Sequence, residues 1–384
     1  MHFSDKKSKC RYIPAFVFLI FIFGMAIWFL LSPKSDYSSA EKRYLQQFPD
    51  TSIENISNGT FGEEFESFFA DQFPMRNLWV GFNAYFSLYT GNNGANGVYN
   101  CKNDYLINVP VSTDNNLSKN LNAVTKFKNS IDTPVTVMFA PSTGYIADDV
   151  LPNVHNEYND DLYFENIGKT LSQNGIEFVD LRETFKEEYK NGTQLYYKTD
   201  HHWTTAGAYT AYTKLCESLG TTPTPKDSFD IKSYDGFYGT TYSTSGFLMT
   251  PSDSIEVWEN PNNNENNIKV KITEGKQITE YNSMFFYDRL EEDDKYPVFI
   301  DGNHALTEIT NTSAKGGTLV MIKDSFSHCL APFLADNYSK IILVDMRYYK
   351  LSVSELIEQE NPEQVVVLYG IDNIATDTDI VWLK

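Results

Sequence analysis

"GGTLVMIKDSFSHCLAPFL", residues 316–334, opens with a short apolar run, meets Lys323-Asp324-Ser325 and continues as a helical pattern. A strand that is apolar on successive residues must be covered on both faces, which is the pattern of a parallel sheet in an α/β protein. The same grammar recurs in "TPVTVMFAP" (133–141), "IEFVDLRETF" (176–185), "KIILVDMRYY" (340–349) and "EQVVVLYGI" (363–371). Helical patterns lie between them. In 204–219, Ala208, Tyr212, Leu215 and Leu219 recur at helical spacing and Gly220 closes the run; 353–360 stops before Pro362. These signals predict an α/β domain over residues 96–384, a three-layer sandwich around a parallel sheet. Residues 221–295 break the grammar, with "SIEVWEN" and "NIKVKITEG" alternating as half-buried strands do. A β-rich antiparallel insertion at about 221–295 is expected there, of the kind that shapes a substrate cleft.

Upstream, Ile13 to Leu31 carries no charge. At about 1.5 Å per residue the run reaches roughly 28 Å, close to a bilayer's hydrocarbon thickness. Lys6, Lys7, Lys9 and Arg11 precede it. The positive-inside rule then makes residues 1–11 a cytoplasmic N-terminus, 12–32 a transmembrane anchor and the remainder extracytoplasmic. A cleaved signal peptide would need small residues where Trp28, Phe29, Leu30 and Leu31 stand, so an uncleaved anchor in the cell membrane is expected. Residues 33–95 read as a stalk and helical arm: a polar stretch, then "FGEEFESFFADQFPMRNLWVGFNAYFSLY", an amphipathic pattern interrupted at Pro74. The net charge of −20 repels phosphate backbones and argues against nucleic acid as a partner. Four cysteines without C-x-x-C spacing indicate neither a disulfide framework nor a zinc cluster, and no cofactor motif is present.

The chemistry concentrates in two places. In "YKTDHHWTTAGAY" (197–209), Asp200 and His202 stand two apart, so an extended loop would put them on one side and His201 on the other. An aspartate beside an imidazole can accept the Nδ1 proton, fix the tautomer and stabilise the imidazolium. His202 is then a general base and Asp200 its orienter. Metal binding by the same residues lacks the spacing of a closed site, so no metal is expected; a packed histidine pair is the remaining alternative. Ser325, at the turn from strand to helix, is the candidate nucleophile, with the helix's first N–H groups beside it to receive an oxyanion. The plain alternative is that Ser325 caps the helix.

"TDHHWTTAGAY" together with "IKDSFS" resembles the DHHW family of bacterial envelope proteins, and is similar to the SGNH-hydrolase-like domains of alginate O-acetylation proteins. The apolar anchor, "DQFPMRNLW", "FIDGNHALTEI" and "VDMRYY" also look like segments of the family, extending the resemblance over most of 40–375. It implies an SGNH-hydrolase-like fold in which Asp200, His202 and Ser325 correspond to the triad. It also implies work beside a membrane-bound O-acyltransferase as acyl donor, with an envelope glycan as acceptor. Lys323 departs from the family pattern, standing where SGNH enzymes usually have glycine. Asn303, in "DGN", is a candidate oxyanion donor through its amide, and Arg347 and Tyr348 are candidate contacts to sugar or acyl oxygen. An ordinary turn asparagine and a surface ion pair are the alternatives for those positions. Three functions stay open on sequence: an O-acetyltransferase acting on a polysaccharide, an esterase with the same triad, and a non-catalytic glycan-binding or scaffold protein. The first two differ only in whether a sugar hydroxyl or water attacks an acyl-serine.

Overall fold

The computed structural model describes residues 5–111 and 116–384; the expected cytoplasmic N-terminus, 1–11, lies partly outside them. The chain divides into two compact units, Met1–Phe86 and Ser87–Lys384. In the first, a helix spans Asp5–Leu31, and its stretch Tyr12–Leu31 is long and apolar enough to cross a membrane. The amphipathic run forms two helices, Thr60–Asp71 and Arg76–Tyr89. The break falls at Pro74, which has no N–H to continue the first helix, and Met75 turns the chain with a φ of 58°. Asp71, at the end of the first helix, receives two bonds from the Arg43 guanidinium.

The second unit is built on one eight-stranded sheet: β1 (Val135–Ala140), β2 (Glu177–Asp180), β3 (Ile268–Glu274), β4 (Gln277–Tyr281), β5 (Leu306–Asn311), β6 (Gly316–Lys323), β7 (Tyr338–Val344) and β8 (Gln364–Gly370). Their spatial order is β4-β3-β5-β7-β6-β8-β1-β2. The five strands from β7 to β2 are parallel, whereas β5, β3 and β4 add on antiparallel. The sheet is thus mostly parallel, and its two-sided strands explain why. Leu319, Met321, Ile341, Leu343, Val366 and Leu368 enter one core. Their neighbours Val320, Ile322, Ile342, Val344, Val365 and Val367 enter the core on the opposite face.

Helices Thr205–Leu219 and Ser327–Leu334 cover the first face, through Ala208, Tyr212, Leu215, Leu330 and Phe333. Helices Asn116–Ser130, Asp160–Gln173 and Val353–Glu360 cover the second, through Val124, Phe127, Phe164, Ile167 and Ile357. The result is a three-layer α/β architecture, helices on both faces of a mostly parallel sheet. The stretch at about 221–295 is divided in two. Strands Asp230–Phe237 and Asp253–Glu259 pair only with each other, while β3 and β4 extend the central sheet. The physical reason lies in β3, whose Ile268, Val270 and Ile272 bury one face only, which suits a strand added at an edge. Cys101, Cys216 and Cys329 are buried free thiols.

Because β7, β6, β8 and β1 run parallel, the segments that follow them emerge at one edge of the sheet, where α/β proteins build their sites. They bring Asp345 and Arg347, Asp324 and Ser325, Asp372 and Asn373, and Ser142 to that edge.

Candidate active site

The loop before helix Thr205–Leu219 is closed by an antiparallel bridge between Tyr196 and Trp203. Thr204 caps the helix by accepting from the Gly207 N–H at 3.1 Å. Within the loop the chain bends rather than extends. Asp200 Oδ1 accepts the His202 backbone N–H at 2.8 Å, a local Asx turn, and the same oxygen accepts from His202 Nδ1 at 2.5 Å. The other carboxylate oxygen accepts the Thr240 N–H at 2.6 Å and its hydroxyl at 3.1 Å. Gly239 permits this approach, since a Cβ there would lie 2.1 Å from that of Asp200. A second carboxylate, Asp253, holds the base of the loop through the N–H groups of Lys198 and Thr199.

Ser325 sits on the turn leaving β6. Its hydroxyl lies 2.7 Å from His202 Nε2, and its backbone oxygen accepts from the Tyr296 hydroxyl at 3.2 Å. The helix that follows begins at Ser327 with no side-chain cap, so Ser325 is not an N-cap. Asp324 shapes the turn instead: Oδ1 accepts from Phe326 N–H, and Oδ2 from Gly370 N–H and Asn373 Nδ2. Trp203 ties the two halves together, its indole N–H reaching the Phe326 carbonyl at 3.0 Å. Tyr296 stacks on the His202 ring with centroids 4.1 Å apart.

One expectation of the sequence fails here. The N–H groups of Phe326, Ser327 and His328 are already bonded, to Asp324 Oδ1, Asp324 O and Ser325 O. The helix start therefore has no such donors to spare for an oxyanion. The Ser325 N–H has no acceptor among the described residues. Asn303 Oδ1 accepts from Arg347 Nη2 at 2.8 Å, which leaves its amide hydrogens to face elsewhere.

A cavity of about 410 Å³ opens over the serine, and Asn303, Ser325, His328 and Arg347 are in its wall. Behind it, Asp345 is gripped by Arg347 through Nε at 2.8 Å and by Lys323 Nζ at 3.1 Å. Tyr348 is 52% exposed and does not border this cavity; its ring lies 5.4 Å from the Arg347 guanidinium. Burial pushes the Asp200 carboxyl up, but the His202 and His201 imidazoles and the hydrogen bonds from His202 outweigh it and hold the group well below the usual carboxylate range. Asp324 moves the other way, raised by burial despite the N–H groups that bond it.

His201 does not turn away as alternation in an extended loop would require. Its ring tilts against that of His202 with centroids 3.9 Å apart, and its Nδ1 lies 2.6 Å from Thr240 Oγ1. The bend at Asp200 puts both histidines on one side. Metal-ligating atoms of Asp200, His201 and His202 consequently fall within 4.8 Å of one another. An ion ligated by His202 would displace the bond to Asp200 or the one to Ser325, depending on which ring nitrogen it takes. Thr240, Tyr296, Asp324 and His328 are site residues that the sequence reading passed over. Only Asp324 carried a local signal, as the residue before a candidate nucleophile.

The fold and this edge define a class: a three-layer α/β domain with serine, histidine and aspartate in hydrogen-bonded series. Comparison with known proteins finds chains of similar fold. The family model described as DHHW protein matches residues 166–344, which include Asp200, His202 and Ser325. A DHHW family protein from Eubacterium siraeum has a similar structure, with a TM-score of 0.62 and 19% identity over 74% of this chain and 94% of that one. Bacillus cereus PatB1, solved with a sulfonyl adduct, is similar at a TM-score of 0.60 and 16% identity, over 74% of this chain and 97% of that one. The O-acetyltransferase domain of Pseudomonas putida AlgJ aligns at a TM-score of 0.49 and 13% identity, over 75% and 95%. No curated protein matches the chain by sequence.

Proposed function

We propose that this chain is a membrane-anchored, extracytoplasmic O-acyltransferase that acetylates hydroxyl groups of a cell-envelope polysaccharide. Ser325 is the nucleophile, His202 the base and Asp200 its orienter. The observation that carries this reading is the unbroken series Ser325 Oγ, His202 Nε2, His202 Nδ1, Asp200 Oδ1, with steps of 2.7 and 2.5 Å between side chains. In the first half-reaction Ser325 Oγ bonds to the acyl carbon and its proton passes to His202 Nε2. The bond to the departing oxygen then breaks, and that oxygen takes the proton from His202. In the second half-reaction His202 removes a proton from a sugar hydroxyl, which attacks the acyl-serine and frees Ser325 Oγ to be reprotonated. Asp200, held ionised, stabilises the imidazolium in both.

The acyl donor in this reading is a membrane-bound O-acyltransferase, and the acceptor an envelope glycan; both rest on the family resemblance. The apolar helix Tyr12–Leu31 supports the anchor, with the basic N-terminus inside and the second unit outside. The test is intact-mass measurement after incubation with 4-nitrophenyl acetate or a sulfonyl fluoride. One acyl or sulfonyl group should add to the native chain and none to Ser325→Ala. An adduct of equal yield on Ser325→Ala would reject the assignment. Following the acetyl group to water or to an added oligosaccharide then separates esterase from transferase.

A further inference from the structure

The serine turn has spent its helix N–H groups, yet a side chain on the cavity wall has one donor left. His328 is 1% exposed and borders the cavity that holds Ser325. Its Nε2 lies 2.9 Å from Lys323 Nζ. An ammonium has only hydrogens to offer, so Nε2 is the lone-pair end of the ring. Lys323 is kept charged by Asp345, although burial pulls its pKa down, and Arg347 closes on the same carboxylate. Burial and the neighbouring Lys323 charge together hold His328 far below the usual imidazole range, in its neutral form. A neutral imidazole with its lone pair at Nε2 carries its proton on Nδ1. That Nδ1 is buried and has no hydrogen-bond partner among the described residues. A buried donor without an acceptor is costly, and one on a residue that borders a catalytic cavity calls for an explanation.

We propose that the Nδ1–H of His328 donates to the acyl carbonyl oxygen in the cavity, and that Lys323 is the positioning residue that fixes this tautomer. The inference rests on the reading of Ser325 as the acylated residue. As Ser325 Oγ bonds to the acyl carbon and its proton moves to His202, the carbonyl π pair shifts onto oxygen. His328 Nδ1–H, with the Ser325 N–H, meets that charge. When the departing C–O bond breaks, the pair returns to the carbonyl, and His328 keeps its proton throughout. The buried lysine in the place of glycine thus gains a role: it holds a histidine side chain as a donor where the helix start has none to give.

The experiment uses the full chain in detergent with 15N-labelled histidine, before and after reaction with phenylmethylsulfonyl fluoride. The His328 resonances are assigned by their loss in His328→Asn. The expected result is an Nδ1–H, Nε2-deprotonated ring whose Nδ1 signal shifts on adduct formation, because the sulfonyl oxygens occupy the oxyanion position. His328→Leu should lower kcat for 4-nitrophenyl acetate by about 10²-fold with KM little changed, and His328→Asn, which keeps an N–H, should restore most of it. Lys323→Met should move the proton toward Nε2. An Nε2–H tautomer in the native chain overturns the inference. So does an Nδ1 signal unmoved by an adduct that mass measurement shows on Ser325, or a folded His328→Leu with native kcat. Failure of Ser325 itself to react would instead remove the acyl-serine reading, and this inference with it.

Discussion

The phenol ring of Tyr296 lies flat on the imidazole of His202, its plane within 11° of parallel and its centroid 4.1 Å away. The same residue's hydroxyl reaches the Ser325 carbonyl at 3.2 Å. Tyr296 therefore limits how the base can rotate and where the nucleophile sits. Such stacking contributes about 0.5–1.5 kcal/mol, enough to change a rate by up to roughly tenfold. Tyr296→Leu should lower kcat for acetyl-ester turnover by about that factor, whereas Tyr296→Phe, which loses one hydrogen bond, should stay within about threefold. Equal losses in the two variants would assign the effect to the hydroxyl rather than to the ring.

His201 and His202 should differ, though less than two residues on opposite faces would. His202 Nε2 meets Ser325 Oγ, so His202→Ala should cost at least about 10²-fold in acyl transfer. His201 leans on His202 and reaches Asp200 through the Thr240 hydroxyl. His201→Ala should therefore cost about tenfold or less, by the usual worth of one indirect hydrogen bond. Kinetics on the two variants, each checked for folding, decides this; a dead His201→Ala with an active His202→Ala would reverse the assignment.

The sheet was legible because Leu319 to Ile322 and Val365 to Leu368 are apolar on consecutive residues, and only burial on both faces accommodates that. The placement of β3 and β4 was not, since alternation in Val270 and Ile272 says that one face is covered but not which sheet the strand joins. Asp200 and His202 do lie side by side, but not for the reason their spacing gives. Extended alternation predicted their shared face, whereas an Asx turn produces it and carries His201 along. Thr240 lies 40 residues from the carboxylate it bonds, and no local pattern marks such a partner. His328 sat in plain view in "DSFSH", but its meaning depends on the burial of Lys323, which a sequence does not display.

A pair of carboxyls near the site should make stability fall as pH rises. Ser142 gives its N–H to Asp160 at 2.7 Å and its hydroxyl to Asp372 at 3.2 Å. Burial pushes Asp160 up to about 6, and burial with the neighbouring Asp160 pushes Asp372 up to about 7. The unfolded chain releases these protons near pH 4, so their contribution is fully present below about pH 4 and lost as pH rises through roughly 6 to 7. Asp200, whose carboxyl is depressed, acts in the opposite sense and only at acid pH. Thermal unfolding should show a lower Tm at about pH 8 than at about pH 5, and Asp372→Asn should flatten that slope. An unchanged slope would mean that Asp372 is ionised across the range.

Asp200→Asn should be the most informative change at the site, because the two carboxylate oxygens have different work. Oδ2 takes two donors from Thr240, and Oδ1 takes two from His202. An amide supplies only one acceptor oxygen. If that oxygen stays with Thr240, the NH₂ faces the His202 backbone N–H and Nδ1, opposing one donor to another and favouring the wrong imidazole tautomer. If it turns toward His202, the Thr240 N–H and hydroxyl lose their acceptor in a buried place. Either way the base is misaligned, and kcat should fall on the order of 10³- to 10⁴-fold, as a serine triad loses when its aspartate becomes asparagine. Thr240→Val, which keeps the backbone N–H, should cost no more than about tenfold. Turnover of 4-nitrophenyl acetate and the Tm of both variants provide the check. A folded Asp200→Asn within tenfold of the native rate would mean that the carboxylate positions the loop and does not serve the base.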